Sequence, residues 1–219
     1  MTAVISSLGV LAWRALSVSF SPFINEKLGA RALKEIDIAV KPLMIFVGAF
    51  SILAAMLAPE IIKILATSDY YEGIYVVPPV AGGVFLHVMY NIFAAVSFFH
   101  KKSQMIMVAT MTASISNIIL NYVFIKYFGY IAAGYTTLIA NIILTGMHYN
   151  NVRKIEKQAI YNGKFLLAVS CIVIGISLLC NFLYAEVMFA VRYMMALGVL
   201  VFLWMYRKKL IDALTNMKV

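Results

Sequence analysis

The sequence predicts an all-α integral membrane protein with about seven transmembrane helices, and three observations carry that prediction. The chain is 63% hydrophobic and only 12% charged, whereas a soluble domain is about 45–50% apolar and about 25% charged. Too little polar surface remains to cover such a chain in water. The apolar residues fall into continuous runs close to the roughly 20 residues that a helix needs to cross the hydrocarbon core. Barrel strands would instead alternate in polarity over about 10 residues. Finally, the breaks between runs alternate strictly between basic and non-basic along the chain.

Taken in order, the first run is Met1–Ile24, which starts without a preceding loop and holds Arg14 within it. It lacks the basic start and the small-residue cleavage site of a signal peptide. A chain that begins inside a hydrophobic segment has the look of the later part of a larger protein. The long basic break "NEKLGARALKEIDIAVK" separates this run from Pro42–Leu65. The short break "ATSDYYEG", free of positive charge, leads to Ile74–Phe99. The basic "HKKSQ" precedes Met105–Ile125, and the short "KYFGY" precedes Tyr130–Met147. The long basic "NNVRKIEKQAIYNGK" then leads to Phe165–Leu183. The non-basic "NFLYAE" leads to Val187–Tyr206, and a basic tail follows. The whole chain, residues 1–219, reads as one helical membrane domain.

Of the 18 lysines and arginines, only Arg14, Lys63, Lys126 and Arg192 lie outside the basic breaks. The positive-inside rule therefore assigns those breaks and the C-terminus to the cytoplasm, and with seven spans the N-terminus to the outside. "KYFGY" becomes a tight external hairpin in which Gly129 supplies a permissive backbone. The net charge of +9 is thus accounted for by topology and not by nucleic-acid binding.

Polar residues inside the runs are the candidates for function. Asn117 and Asn121 stand four apart and share one helical face. An amide in hydrocarbon must find partners, so this face either bonds to a neighbouring helix or lines a substrate path. Asn91 and Asn141 are placed to join the same region. Arg14 lies too deep for easy snorkelling, and an arginine at membrane depth costs at least about 2.5 kcal/mol; a wet cavity or an anionic partner is the expected compensation. Arg192 lies near an external end, where it can snorkel. Lys63 and Lys126 are expected at the interface, with Glu60 pairing to Lys63 one turn away. Pro78 and Pro79 with Gly82 and Gly83 mark either a helix start or a hinge. His87, one turn further on, is expected as a packed histidine more than a proton relay.

Several classes are excluded. No carboxylate falls in mid-membrane, which argues against a proton or cation relay built from this chain alone. No HExxH, GxSxG or Walker A motif occurs, so neither an enzyme nor a cofactor-dependent protein is expected. Cys171 and Cys180, nine residues apart, fall on opposite helical faces and read as small buried hydrophobes.

"FSPFINEKLG", "LAPEIIKILATSDYYEGIYVVPPVAGG" and "SISNIILNYVFIKYFGYIAAGYTTLIAN" resemble bacterial polysaccharide transporters of the O-antigen and capsule flippase type. These belong to the multidrug/oligosaccharidyl-lipid/polysaccharide exporter superfamily. The resemblance covers about residues 12–157, and its most specific part surrounds Asn117, Asn121, Gly129 and Ala132–Ala133. It implies two lobes of 12 to 14 helices in total around a central cavity, of which this chain matches the final seven. It also implies translocation of undecaprenyl-diphosphate-linked oligosaccharide across the inner membrane by alternating access. Arg14 would then meet the diphosphate and Asn117 and Asn121 the sugars, with Asn91 a further substrate-binding candidate and anionic membrane lipids around the chain. The shorter length implies either a fragment or a chain that works with a separately encoded N-terminal half. The alternatives are a multidrug or toxin antiporter of the same superfamily, which a deep acidic residue would favour, and a non-transporting subunit of a glycan assembly complex.

Overall fold

A computed structural model describes residues 20–65 and 68–215. Among them the chain is all-helical, with no strand. Helix α1 covers residues 20–29. It is followed by α2 (Leu33–Met56), α3 (Ala58–Leu65), a 3₁₀ segment (Ser68–Val76) and α4 (Val77–Phe99). Helices α5 (Ser103–Phe128), α6 (Ala132–Ile155), α7 (Gly163–Leu183) and α8 (Phe189–Thr215) complete the order.

Among the described residues, five segments are long and apolar enough to cross a membrane: Leu33–Met56, Tyr71–Phe99, Ser103–Phe128, Gly163–Leu183 and Phe189–Ala213. Two of the expected seven are not among them. Most of the first run lies outside the described residues. The fifth run forms α6, which is long enough, but its polar residues dilute its apolar character. Those residues are the reason α6 packs so closely. Thr145 Oγ1 donates to the Leu86 carbonyl on α4 at 3.2 Å, and Asn151 Nδ2 donates to the Met105 carbonyl on α5 at 3.1 Å.

The second run also differs from its expected bounds. Helix α2 begins at Leu33, nine residues before Pro42, because Leu33, Ile36 and Val40 bury themselves in the core. It carries Pro42 inside and stops at Leu57, so that Ala58–Leu65 forms a separate short helix. Helix α4 is central and packs against α2, α6 and α7. The core gathers Phe20, Phe23 and Ile24 of α1, Met44 of α2 and Phe85 and Phe93 of α4. Helix α5 rests mainly on α6, and α8 mainly on α2, and both leave most of their residues exposed.

The alternation of breaks is visible in the contacts. At one end, Glu156 after α6 receives Arg31 Nη1 at 3.0 Å and faces His100 Nε2 at 2.8 Å. The Asn162 amide before α7 donates to Asp37 Oδ1 of α2 at 2.8 Å. Three basic breaks therefore meet at that end. Lys27 is held there by Glu35 and Glu26, at 3.0 and 3.2 Å, which keep its ammonium above the usual lysine range. At the other end, Tyr130 of the α5–α6 hairpin donates to Glu72 at 3.2 Å, and Arg192 of α8 reaches Glu60 of α3.

Turn chemistry fits these ends. Gly129 sits at φ 71°, the left-handed region that glycine enters without cost, and its N–H caps α5 on the Ile125 carbonyl at 2.9 Å. Arg31 and Lys101 both take φ 57°. Each is followed by a residue whose N–H reaches five positions back, Ala32 to Lys27 and Lys102 to Ser97, which closes a Schellman-type helix end.

Candidate functional site

The face shared by Asn117 and Asn121 forms a polar seam between α5 and α6. Asn121 Nδ2 donates to Asn117 Oδ1 at 2.8 Å along α5. Across the helices, Thr136 Oγ1 donates to Asn121 Oδ1 at 2.5 Å, and Asn117 Nδ2 approaches Thr137 Oγ1 at 3.5 Å. Thr137 in turn donates to its own helix at the Ala133 carbonyl, 2.7 Å away. The tight Gly129 turn makes this possible, because it sets α6 antiparallel to α5 with Thr136 level with Asn121.

The seam supplies one of the two roles open to the asparagines, namely joining helices. Interhelical hydrogen bonds in membranes contribute about 0.6 kcal/mol each. A double-mutant cycle of Asn121→Ala with Thr136→Ala is expected to give a coupling near that ~0.6 kcal/mol, read from thermal unfolding in detergent. A coupling of zero would mean that the two side chains do not bond.

The same face continues beyond the seam. Thr110 and Ser114 lie above Asn117 and Asn121 at spacings of four, three and four residues, so that all four fall on one helical stripe. Thr110 and Ser114 are exposed, and the two asparagines are half-buried. Thr110, Ser114, Thr136 and Thr137 were not among the residues singled out from the sequence. The spacing along α5 would have found the first two; the α6 threonines needed the hairpin register. The stripe offers hydroxyl and amide groups, which donate and accept hydrogen bonds without carrying charge. Such a lining suits neutral polar ligands such as sugars.

The other candidates are placed as follows. Arg14 lies outside the described residues. Asn91 is half-buried on α4 and donates to its own helix at the His87 carbonyl, 2.7 Å away; it does not join the seam. Asn141 packs on α4 instead, its Nδ2 standing where a Cβ on Gly83 would come within 2.9 Å. Pro78 and Pro79 occupy the first turn of α4, which continues unbroken from Val77 to Phe99. Gly82 admits Leu138 of α6 and Ile174 of α7 at 3.4 and 3.5 Å from its Cβ position. The two glycines are therefore points of close helix approach. His87 stacks edge-on against Tyr90 at 4.9 Å, and Tyr90 lies 5.4 Å from the ring of the fully buried His148.

Three expectations for other side chains are corrected. Arg192 does not snorkel: it is 5% exposed and buried against α3. Its Nη2 meets Glu60 Oε1 at 2.5 Å and its Nη1 donates to Glu60 Oε2 at 3.2 Å. Glu60 therefore pairs with Arg192 and with the Tyr193 hydroxyl at 2.5 Å, and not with Lys63. Of the cysteines, Cys180 is buried but Cys171 is exposed, as their opposite helical faces require.

No protein-family model, no characterised protein and no solved structure matches the chain.

Proposed function

We propose that this chain forms part of a transporter that moves undecaprenyl-diphosphate-linked oligosaccharide across the bacterial inner membrane for surface polysaccharide biosynthesis. It works by alternating access as one lobe of a two-lobed assembly, with its C-terminus in the cytoplasm. The observation that carries this reading is the exposed polar stripe of Thr110 and Ser114, continuous with Asn117 and Asn121, on a helix long enough to span the bilayer. Polar groups within spans characteristically face the bundle interior or a wet cavity, and this stripe is continuous with asparagines that already face α6. A facing lobe that leaves a wet cavity against α5 gives the stripe a purpose. The sugar-type lining matches the oligosaccharide, and the segment resemblance supplies the lipid carrier.

Ser114→Leu and Thr110→Leu alter exposed positions outside the α5–α6 hydrogen bonds. In the full-length transporter context, each is expected to leave protein level unchanged and to reduce surface polysaccharide sharply in a strain lacking its own flippase. Arg14→Ala is expected to do the same, since it removes the candidate diphosphate contact. Wild-type polysaccharide output from all three at matched protein level would remove this face from the transport path.

A further inference from the structure

Helices α7 and α8 follow one another in sequence but barely touch. Between them, floored by α2, lies a cavity of about 470 Å³. Its walls are apolar: Ile45 and Ala49 of α2, Phe165 and Val169 of α7, and Gly198 and Phe202 of α8 among them. On α2 the lining extends from Ile45 to Met56, which at 1.5 Å per residue is about 16 Å. That length matches the roughly 15 Å depth of one leaflet's hydrocarbon, half the thickness of the core.

The end of the crevice at Phe165 carries positive charge from all three helices. Lys41 lies one turn before Ile45, and its Nζ stands 6.0 Å from the centre of the Phe165 ring. Lys164 is exposed and directly precedes Phe165. On α8 the lining ring of Phe202 stacks on Tyr206 at 5.6 Å, and Lys209 Nζ stands 5.7 Å from the Tyr206 ring. The start of α8 lies against the end of α2, where Arg192 bonds the Met56 carbonyl, and the two helices pack antiparallel, so Lys209, 17 residues on, falls level with Ala39, near Lys41 and just beyond the start of the α2 lining at Ile45. Lys41 is partly neutralised by Asp37 at 2.5 Å, whereas Lys164 and Lys209 are exposed. A greasy slot one leaflet deep with cations at one mouth is complementary to an acyl chain beneath an anionic headgroup.

We infer that the crevice between α2, α7 and α8 holds an acyl chain of an anionic glycerophospholipid whose phosphate sits among Lys41, Lys164 and Lys209. The lipid fills the gap between α7 and α8 and comes from the leaflet on the basic side. This site is independent of the transported molecule, since the α5 stripe belongs to a different helix pair.

The test is lipid retention. The protein is extracted from vesicles of equal phosphatidylglycerol and phosphatidylcholine, and bound lipid is counted by native mass spectrometry. The wild type is expected to retain one phosphatidylglycerol in preference to phosphatidylcholine. Lys164→Gln with Lys209→Gln is expected to lower that preference about tenfold, since each juxtamembrane lysine contributes several-fold to anionic-lipid binding. Gly198→Phe fills the slot; nothing lies within 4 Å of a Cβ at that position, so the variant is expected to fold and to lose the retained lipid. Equal retention of the two lipids by the wild type would overturn the inference. So would an unchanged preference in the lysine variant, or unchanged retention in a folded Gly198→Phe. Displacement of phosphatidylglycerol by an equal amount of polyprenyl phosphate would assign the slot to an isoprenoid tail and likewise overturn it. The lysine variant changes only surface charge, so the test stands if Gly198→Phe fails to fold.

Discussion

Glu60→Ala is expected to destabilise the protein by about 3–5 kcal/mol, the usual cost of removing one partner from a buried ion pair. The size follows from what remains. Arg192 is 5% exposed, and without Glu60 its guanidinium keeps only the Met56 carbonyl at 3.2 Å and the faces of Tyr184 and Tyr193. The reverse substitution is milder. Arg192→Met leaves Glu60, whose side chain is 31% exposed, able to take up water. The double variant is expected to resemble Arg192→Met alone, because removing both charges removes the unpaired one. Thermal unfolding in detergent, followed by far-UV circular dichroism, orders the three variants. Equal and small shifts for Glu60→Ala and Arg192→Met would mean that the pair is not buried in the folded protein.

Gly134→Ala is expected to cost about 1–3 kcal/mol, the range for forcing atoms into a packed core. A Cβ there would meet Val76 Cγ1 at 2.9 Å, Pro79 Cγ at 3.0 Å and the Val76 carbonyl oxygen at 3.2 Å. A proline ring and a backbone carbonyl cannot swing aside as a long side chain can. Helix α6 would have to back away from the start of α4. Gly146 provides the control on the same helix. It has nothing within 4 Å of its Cβ position, so Gly146→Ala is expected to stabilise by about 0.5–1 kcal/mol through backbone entropy alone. Opposite signs for the two glycines, read in the same unfolding assay, check the α4–α6 packing. Matching signs would contradict it.

What the sequence made legible is what periodicity and charge can carry. The runs among the described residues became helices, three basic breaks met at one end, and Gly129 made the hairpin because only a left-handed residue closes that turn. The shared face of Asn117 and Asn121 also followed from spacing. Partners distant in the chain did not. Glu60 had Lys63 three residues away as an obvious mate, and nothing local pointed to Arg192, 132 positions on. The break at Leu57 did carry a local mark, Pro59 two residues on, which cannot donate into a continuing helix; the apolar length of the run outweighed it. Helix α6 misled in the other direction. Its threonines, His148 and Asn151 lower its apolar content, yet Thr136, Thr145 and Asn151 bond across to α5 and α4 and His148 packs its ring on Tyr90 of α4, which makes α6 closely packed. Composition counts polar residues without knowing which neighbour will take their hydrogen bonds. For the α5 stripe, spacing gives the alignment of Thr110 and Ser114 with the asparagines, but only the packing shows that α6 covers the asparagines and leaves the two hydroxyl residues exposed.

The packing of α2 bears on how the chain is made. Its chief companions on one flank are α7 and α8, which emerge from the ribosome about a hundred residues later. At roughly 5–20 residues per second, α2 waits on the order of 5–20 s with that flank bare. An insertase or lipid must shield it during the interval, and a chain halted after α6 would leave the ribosome with that side still uncovered.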